Sequence, residues 1–215
     1  MTDGSRAAIL ASIQGALGAA ADEAAIAAEY DSLPRAYKRI GTLDGPALLE
    51  LFTDRLLEYD AGVYRADTEG IGAKVGEILK ARGVNRIAIP DDLPAEWLPA
   101  AFDFVKASRF TEMQLDKVDG VLSACTVAIA ETGSIVLQNA PAQGKRSLSL
   151  VPDYQLCLVF AAQVVETVPE GFARLEATKN LPMTFFSGPS ATADIEMTRI
   201  KGVHGPRFLD VLLVV

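Results

Sequence analysis

Residues able to do chemistry gather in three separated stretches. Glu131-Thr132-Gly133 divides two runs rich in β-branched residues, 126–130 and Ser134–Gln138. A short loop ending in Gly between such runs predicts a β-hairpin whose glycine takes the positive φ that other residues resist. Glu131 and Thr132 are then presented at a strand end, where Glu131 can work as a general acid or base or stand as an ordinary solvated turn residue. Lys145 and Arg146, in Gly144-Lys145-Arg146-Ser147, can clamp a carboxylate or phosphate, the arginine in bidentate fashion; the competing reading is loop charge held in water. Residues 187–194 follow a predicted strand and precede a predicted short helix ending near Arg199. That order places Ser187, Gly188, Ser190 and Thr192 at a helix start, where anions are favoured. Plain capping by Thr192, with Asp194 in the first turn, explains the same residues. His204, in Gly202-Val203-His204-Gly205-Pro206, can act as an acid or base near neutral pH, or be a hydrogen-bonded loop histidine.

The elements that must hold these stretches alternate between helical and strand patterns. Leu48, Leu51, Phe52, Leu56 and Tyr59 form one helical stripe after Asp44-Gly45-Pro46. Strands are predicted over 62–65 and 84–89, with a helix between them capped by Asp67 or Thr68 and stopped by Gly83. Strand, helix, strand at that spacing predicts a right-handed crossover and a parallel pair. Further strands are expected over 156–160, 163–165, 183–186 and 208–214, with a helix over 169–178. Continuous apolar runs of this kind suit strands covered on both faces. Gly70, Gly72 and Gly76 superficially match a dinucleotide-binding fingerprint, but they fall inside the predicted helix, where close packing is the better explanation.

Composition narrows the classes. At 215 residues, 50% hydrophobic and 22% charged, the chain suits one large α/β domain, expected over 46–215, with a helical arm over 1–45. Such an arm can pack on the same chain or on a partner. A formal charge of −8 argues against a general affinity for nucleic acid or an anionic membrane, since Lys and Arg supply that affinity. The alanine-rich start is too interrupted for a signal peptide, and no apolar run reaches membrane-spanning length, so a cytoplasmic protein without membrane insertion is expected. Cys125 and Cys157 lie in apolar runs and read as buried thiols. Two cysteines and one histidine cannot hold a cluster or a structural zinc, so no metal and no bound cofactor is expected in this chain.

The chain resembles the LUD domain family, the lactate utilisation protein C group. The resemblance rests on residues 130–137, on Arg146-Ser147-Leu148 with Pro152 downstream, on Gly188-Pro189-Ser190 through Glu196, and on residues 202–206. It implies a layered α/β sheet with helices on both faces, like that of the NagB, ribose-5-phosphate isomerase and CoA-transferase group, with its ligand site at strand ends. It also implies a part in converting L-lactate to pyruvate alongside cysteine-rich and iron–sulfur partner subunits. This chain would be the cluster-free subunit, binding a small anionic metabolite where the Glu131 hairpin, the Arg146 loop and the 187–194 loop converge. The alternatives are a stand-alone enzyme like a CoA-transferase or sugar-phosphate isomerase, with Glu131 as nucleophile, and a non-catalytic assembly or sensing module.

Overall fold

The computed structural model describes residues 3–17, 22–192, 200–201 and 205–215. Six strands pair in parallel: β1 (Gly62–Ala66), β2 (Arg86–Ile89), β3 (Asp103–Lys106), β4 (Gly120–Ala124), β7 (Tyr154–Phe160) and β12 (Phe208–Val214). Their order across the sheet is β1-β12-β7-β4-β2-β3. A second sheet holds β5 (Val127–Ile129), β6 (Ser134–Gln138), β8 (Val164–Val165) and β9 (Met183–Phe186), in the order β8-β5-β6-β9. A two-stranded ribbon pairs β10 (Ala191–Thr192) with β11 (Ile200–Lys201).

Alternation along β7 sets the layers, because successive side chains point to opposite faces. Tyr154, Leu156 and Leu158 pack with Ile71, Val75, Ile78 and Leu79 of helix α4 (Ile71–Arg82). Cys157 and Val159 face the other way, onto Phe52 and Leu56 of α3 (Gly45–Glu58) and onto Ala128, Ile135 and Phe186 of the second sheet. The outer face of that sheet buries Ile129, Val136 and Val165 with Leu175 of α7 (Val168–Leu175). Two short helices, α5 (Glu112–Leu115) and α6 (Arg146–Leu150), supply Leu115 and Leu148 to a smaller cluster with Ala88 and Val121. The layered α/β architecture expected from the sequence is therefore present.

Two local expectations are corrected. β1 and β2 do not form a parallel pair; β12, β7 and β4 lie between them. The apolar runs β7 and β12 need cover on both faces and take central places, whereas half-exposed β1 is left at the edge. Neither Asp67 nor Thr68 is the cap of α4. Gly70 takes that position, and the Asp67 carboxylate accepts its N–H at 2.6 Å. A Cβ on Gly72 would lie 2.6 Å from the Glu96 carbonyl oxygen, which supports the packing reading of that glycine.

The chain divides into two compact units, up to Tyr37 and from Lys38 onward. The first holds α1 (Asp3–Leu17) and α2 (Glu23–Ser32), with the Asp22 carboxylate accepting the Ala24 N–H at 3.0 Å as an N-cap. In the second, residues 38–43 are tied to the start of α7. The Glu166 carboxylate accepts the N–H groups of Thr42 and Leu43 at 2.5 and 2.7 Å, and Glu170 accepts that of Gly41 at 3.0 Å.

Candidate functional site on the last turn of α3

The hairpin expected around Glu131 is present, with Ile129 opposite Ser134 and Gly133 at φ +60°. Gly133 is required twice over. Its φ lies in the left-handed region, and a Cβ there would stand 3.0 Å from Cβ of Arg55 on α3. The second motif docks in the same way. Gly188, at φ +86°, follows β9, and a side chain there would collide with Cβ of Tyr59, the residue capping α3.

β6 pairs antiparallel with β9, so the residues beside these glycines meet. The Thr132 and Ser134 hydroxyls are 2.8 Å apart, and those of Ser134 and Ser187 are 2.6 Å apart. The two ends of this chain of hydroxyls, Thr132 and Ser187, line a cavity of about 380 Å³ together with Arg55, Glu58, Tyr59 and Glu131. Arg55 donates from Nη1 to both Glu58 oxygens, at 2.6 and 2.8 Å. An arginine carries five N–H donors in a planar fork, so its remaining edge can take a carboxylate.

Glu131 is fixed from both of its ends. Its N–H donates to the Glu166 carbonyl at 3.0 Å, extending the parallel pairing of β5 with β8. Its carboxylate meets Lys38 Nζ at 3.3 Å, and the same ammonium pairs with Glu166. Lys38 thus bridges a half-exposed carboxylate (37% exposed) and one almost out of water (5%). Glu166 and, less strongly, Glu131 hold Lys38 above the ordinary lysine range against its partial desolvation. Lys38 and the Leu43 and Thr42 N–H groups hold Glu166 below the ordinary glutamate range, against burial. Burial pushes Glu170 upward, but the Gly41 and Thr167 N–H groups and the Thr167 hydroxyl outweigh it, and its pKa also falls below that range.

The three stretches singled out in the sequence do not all share this cavity. Glu131, Thr132 and Ser187 line it, and Gly133 and Gly188 shape it. Ser187 and Gly188 also line an adjoining hollow of about 220 Å³ with Ser190, Gly205 and Pro206, where the Ser190 N–H donates to the Pro206 carbonyl at 2.8 Å. Lys145 lines a different cavity of about 290 Å³, and exposed Arg146 lines a narrow cleft with Gln138, Gln143 and Ser149. Neither space has a lining residue in common with the Glu131 cavity. Arg146 opens the short helix α6 with Lys145 as its N-cap, where a loop was expected. Thr192 belongs to strand β10, its main chain pairing with Ile200, and the helix expected to end near Arg199 lies outside the described residues. Asp194 and His204 lie outside the described residues.

Lys38, Arg55, Glu58 and Glu166 were not singled out by sequence, and Tyr59 stood out only as part of a helical stripe. Arg55 and Glu58 form an (i, i+3) pair that reads as the solvated face of an amphipathic helix, and nothing local to α3 announces that two loops will land on it. Among the described residues no group of three or more His, Cys, Asp or Glu is placed to hold a metal ion, and Cys125 and Cys157 are buried free thiols. No described helix is long and apolar enough to cross a membrane.

A parallel sheet backed by a smaller mixed sheet, with a hydroxyl-and-carboxylate cavity at the hairpin end of the latter, defines a layered α/β domain. The LUD domain model matches residues 95–214. The chain is 41% identical over 171 residues to Lactate utilization protein C of Deinococcus radiodurans, spanning 78% of this chain and 79% of that one. It is 33% identical over 130 residues to the protein YkgG of Escherichia coli, spanning 57% of this chain and 55% of that one. The crystal structure of a DUF162 family protein from Deinococcus radiodurans superposes with a TM-score of 0.71 at 32% identity, covering 81% of this chain and all of that one. This chain belongs to the LUD domain family.

Proposed function

We propose that this protein is the cluster-free subunit of a cytoplasmic L-lactate utilisation system and that its Glu131 cavity binds a small 2-hydroxy or 2-oxo carboxylate. The relatives named for lactate utilisation support the pathway. The observation that carries the site is the meeting of the two family-like motif segments, at Glu131 and at Ser187, on Arg55 of α3. The free edge of Arg55 takes the carboxylate, and the hydroxyls of Thr132 and Ser187 take the 2-oxygen. Oxidation of a 2-hydroxy acid to a 2-oxo acid releases two protons and two electrons. Glu131, within reach of the 2-hydroxyl, accepts the hydroxyl proton. The electrons and the second proton leave through iron–sulfur and cysteine-rich partner subunits, the expected carriers because this chain offers two cysteines and both are buried.

A free-standing transferase with Glu131 as nucleophile is less well supported, because the relatives are named for lactate utilisation. To test the proposal, the gene is deleted and growth on L-lactate as carbon source is measured, then restored with wild type, Glu131→Gln or Arg55→Met. Loss of growth rescued by wild type and by neither variant is the expected result. Normal growth of the deletion strain, with no second copy present, overturns the assignment.

A further inference from the structure

We infer that the cavity of about 290 Å³ at the C-terminal ends of β2 and β3 is a second ligand site, independent of the Glu131 cavity and suited to a ribonucleoside. Topology gives the first reason. β2 runs on to β3 on one side of it, while β4 runs on to β7 on the other, so the connections from the adjacent strands β2 and β4 leave in opposite directions. In an open parallel sheet that divergence leaves a crevice at the carboxyl ends of the strands, which is where ligands bind, and the cavity lies on its β2 side, lined by Pro90, Asp91 and Asp92 after β2 and by Ala107 and Ser108 after β3.

The crevice is roofed. Residues 139–145 cross from β4 to β2: the Ala124 N–H donates to the Ala142 carbonyl at 2.8 Å, and the Ala142 N–H donates to both Asp92 oxygens at 3.1 Å. Buried Gln143 pins the roof from beneath, accepting the Gln138 N–H at 2.7 Å and the Thr126 hydroxyl at 3.0 Å. Ala142 sits at φ +61°, a conformation disfavoured for any residue with a Cβ, and is held there by these bonds. Strain kept in place by surrounding contacts is concentrated at functional sites.

The lining names the ligand class. Pro90, Ala107, Ala140 and Leu148 give the lining apolar surface against which a flat ring can pack. Beside them, Asp91 accepts the Ser108 hydroxyl at 2.6 Å on one oxygen, its other oxygen having no partner among the described residues, while Asn139 also lines the space. Lys145 donates to the Phe110 carbonyl and keeps two further N–H donors. Asp91 and Asp92 against Lys145 leave the lining net negative, which disfavours a multiply charged anion such as a triphosphate or a tricarboxylate. An uncharged ligand with one apolar face and vicinal hydroxyls satisfies both kinds of lining: the base packs on the apolar residues, and the ribose diol meets Asp91 and Ser108. The space holds about ten waters' worth of ligand, enough to enclose most of a nucleoside.

The test is calorimetric titration of the full chain with adenosine, uridine, 2′,3′-dideoxyadenosine and ribose 5-phosphate. At least one ribonucleoside is expected to bind with Kd below about 1 mM, and the dideoxy analogue at least about tenfold more weakly. Asp91→Asn and, as a second surface variant, Ser108→Ala are each expected to weaken ribonucleoside binding. Glu131→Gln is expected to leave it unchanged, which separates this site from the proposed lactate site. No binding by either ribonucleoside, equal binding of the dideoxy analogue, ribose 5-phosphate binding as tightly as the nucleoside, or wild-type affinity in both variants overturns the inference.

Discussion

Asp210 and Glu166 are both carboxylates taken almost wholly out of water, 1% and 5% exposed, yet they are answered differently. Asp210, at the N-terminal end of the parallel sheet, is answered by side chains. Arg82 reaches it with two N–H groups at 2.6 and 3.2 Å, and the Tyr154 hydroxyl donates at 2.9 Å. Arg82 also lies over the Tyr154 and Phe208 rings, and burial, together with Asp210, drives the Tyr154 pKa upward. Glu166 is answered by the main chain of residues 42–43 and by a lysine that is 46% exposed. The first arrangement ties two neighbouring strands of one sheet, β7 and β12, to helix α4. The second latches a peripheral segment and passes its cation on to Glu131, so it touches the candidate site while the first does not.

Breaking the first centre gives the largest effect on stability. Asp210→Ala strands Arg82 beside the sheet, and the expected loss is about 3 kcal/mol, the low end for a broken buried pair because the guanidinium keeps some access to water. Chemical denaturation measures it, and a loss near zero would show that Arg82 finds water without penalty. Glu166→Ala comes next and is local: thermal stability falls less than for Asp210→Ala, and hydrogen exchange quickens at the Thr42 and Leu43 amides, whose acceptor is removed. Unchanged exchange there would mean that the latch does not hold residues 38–43.

The same centre sets a pH dependence. Glu166 and Glu170 have pKa values below the ordinary glutamate range in the folded chain, so the unfolded chain binds more protons as the pH falls through that range. Their stabilisation is complete above the ordinary value and disappears as the pH drops through the lowered one. Lys38, shifted upward, loses its part only when the pH rises above the ordinary lysine range. Melting temperature measured against pH is therefore expected to fall on the acid side, with a shallower fall in Glu166→Ala.

Gly133→Ala places a Cβ at positive φ against Arg55 and is expected to cost about 1–2 kcal/mol. Glu131→Gln has the smallest effect on stability, within about 0.5 kcal/mol for a surface position, while growth on lactate is lost. A Glu131→Gln variant as destabilised as Asp210→Ala would erase the distinction between the two centres.

Much of the scaffold is legible in the residues. The 126–138 hairpin follows from β-branched runs around a glycine, the start of α3 from Asp44, whose carboxylate accepts the Ala47 N–H at 3.0 Å, and the end of α4 from Gly83 at φ +73°. These signals are local, and local hydrogen bonding and φ preference enforce them. Strand neighbours are less legible. The pattern around α4 announces a crossover but not how many strands it crosses, because adjacency depends on which strands need burial on both faces. The candidate site is half legible: Glu131, Thr132 and Ser187 stand out as motif residues, but their partner Arg55 looks like any charge on a helix face.

The sequence by itself determined the class of fold, the hairpin that carries Glu131 and the loop that carries Ser187, since each depends on residues within a few positions of one another. Only the tertiary structure decided that these two segments share α3, that Lys145 and Arg146 go elsewhere, and that a roofed crevice opens beyond β2. Those outcomes rest on contacts across the chain, such as a hydroxyl pair 53 residues apart, and no local preference encodes which distant surfaces will pack together.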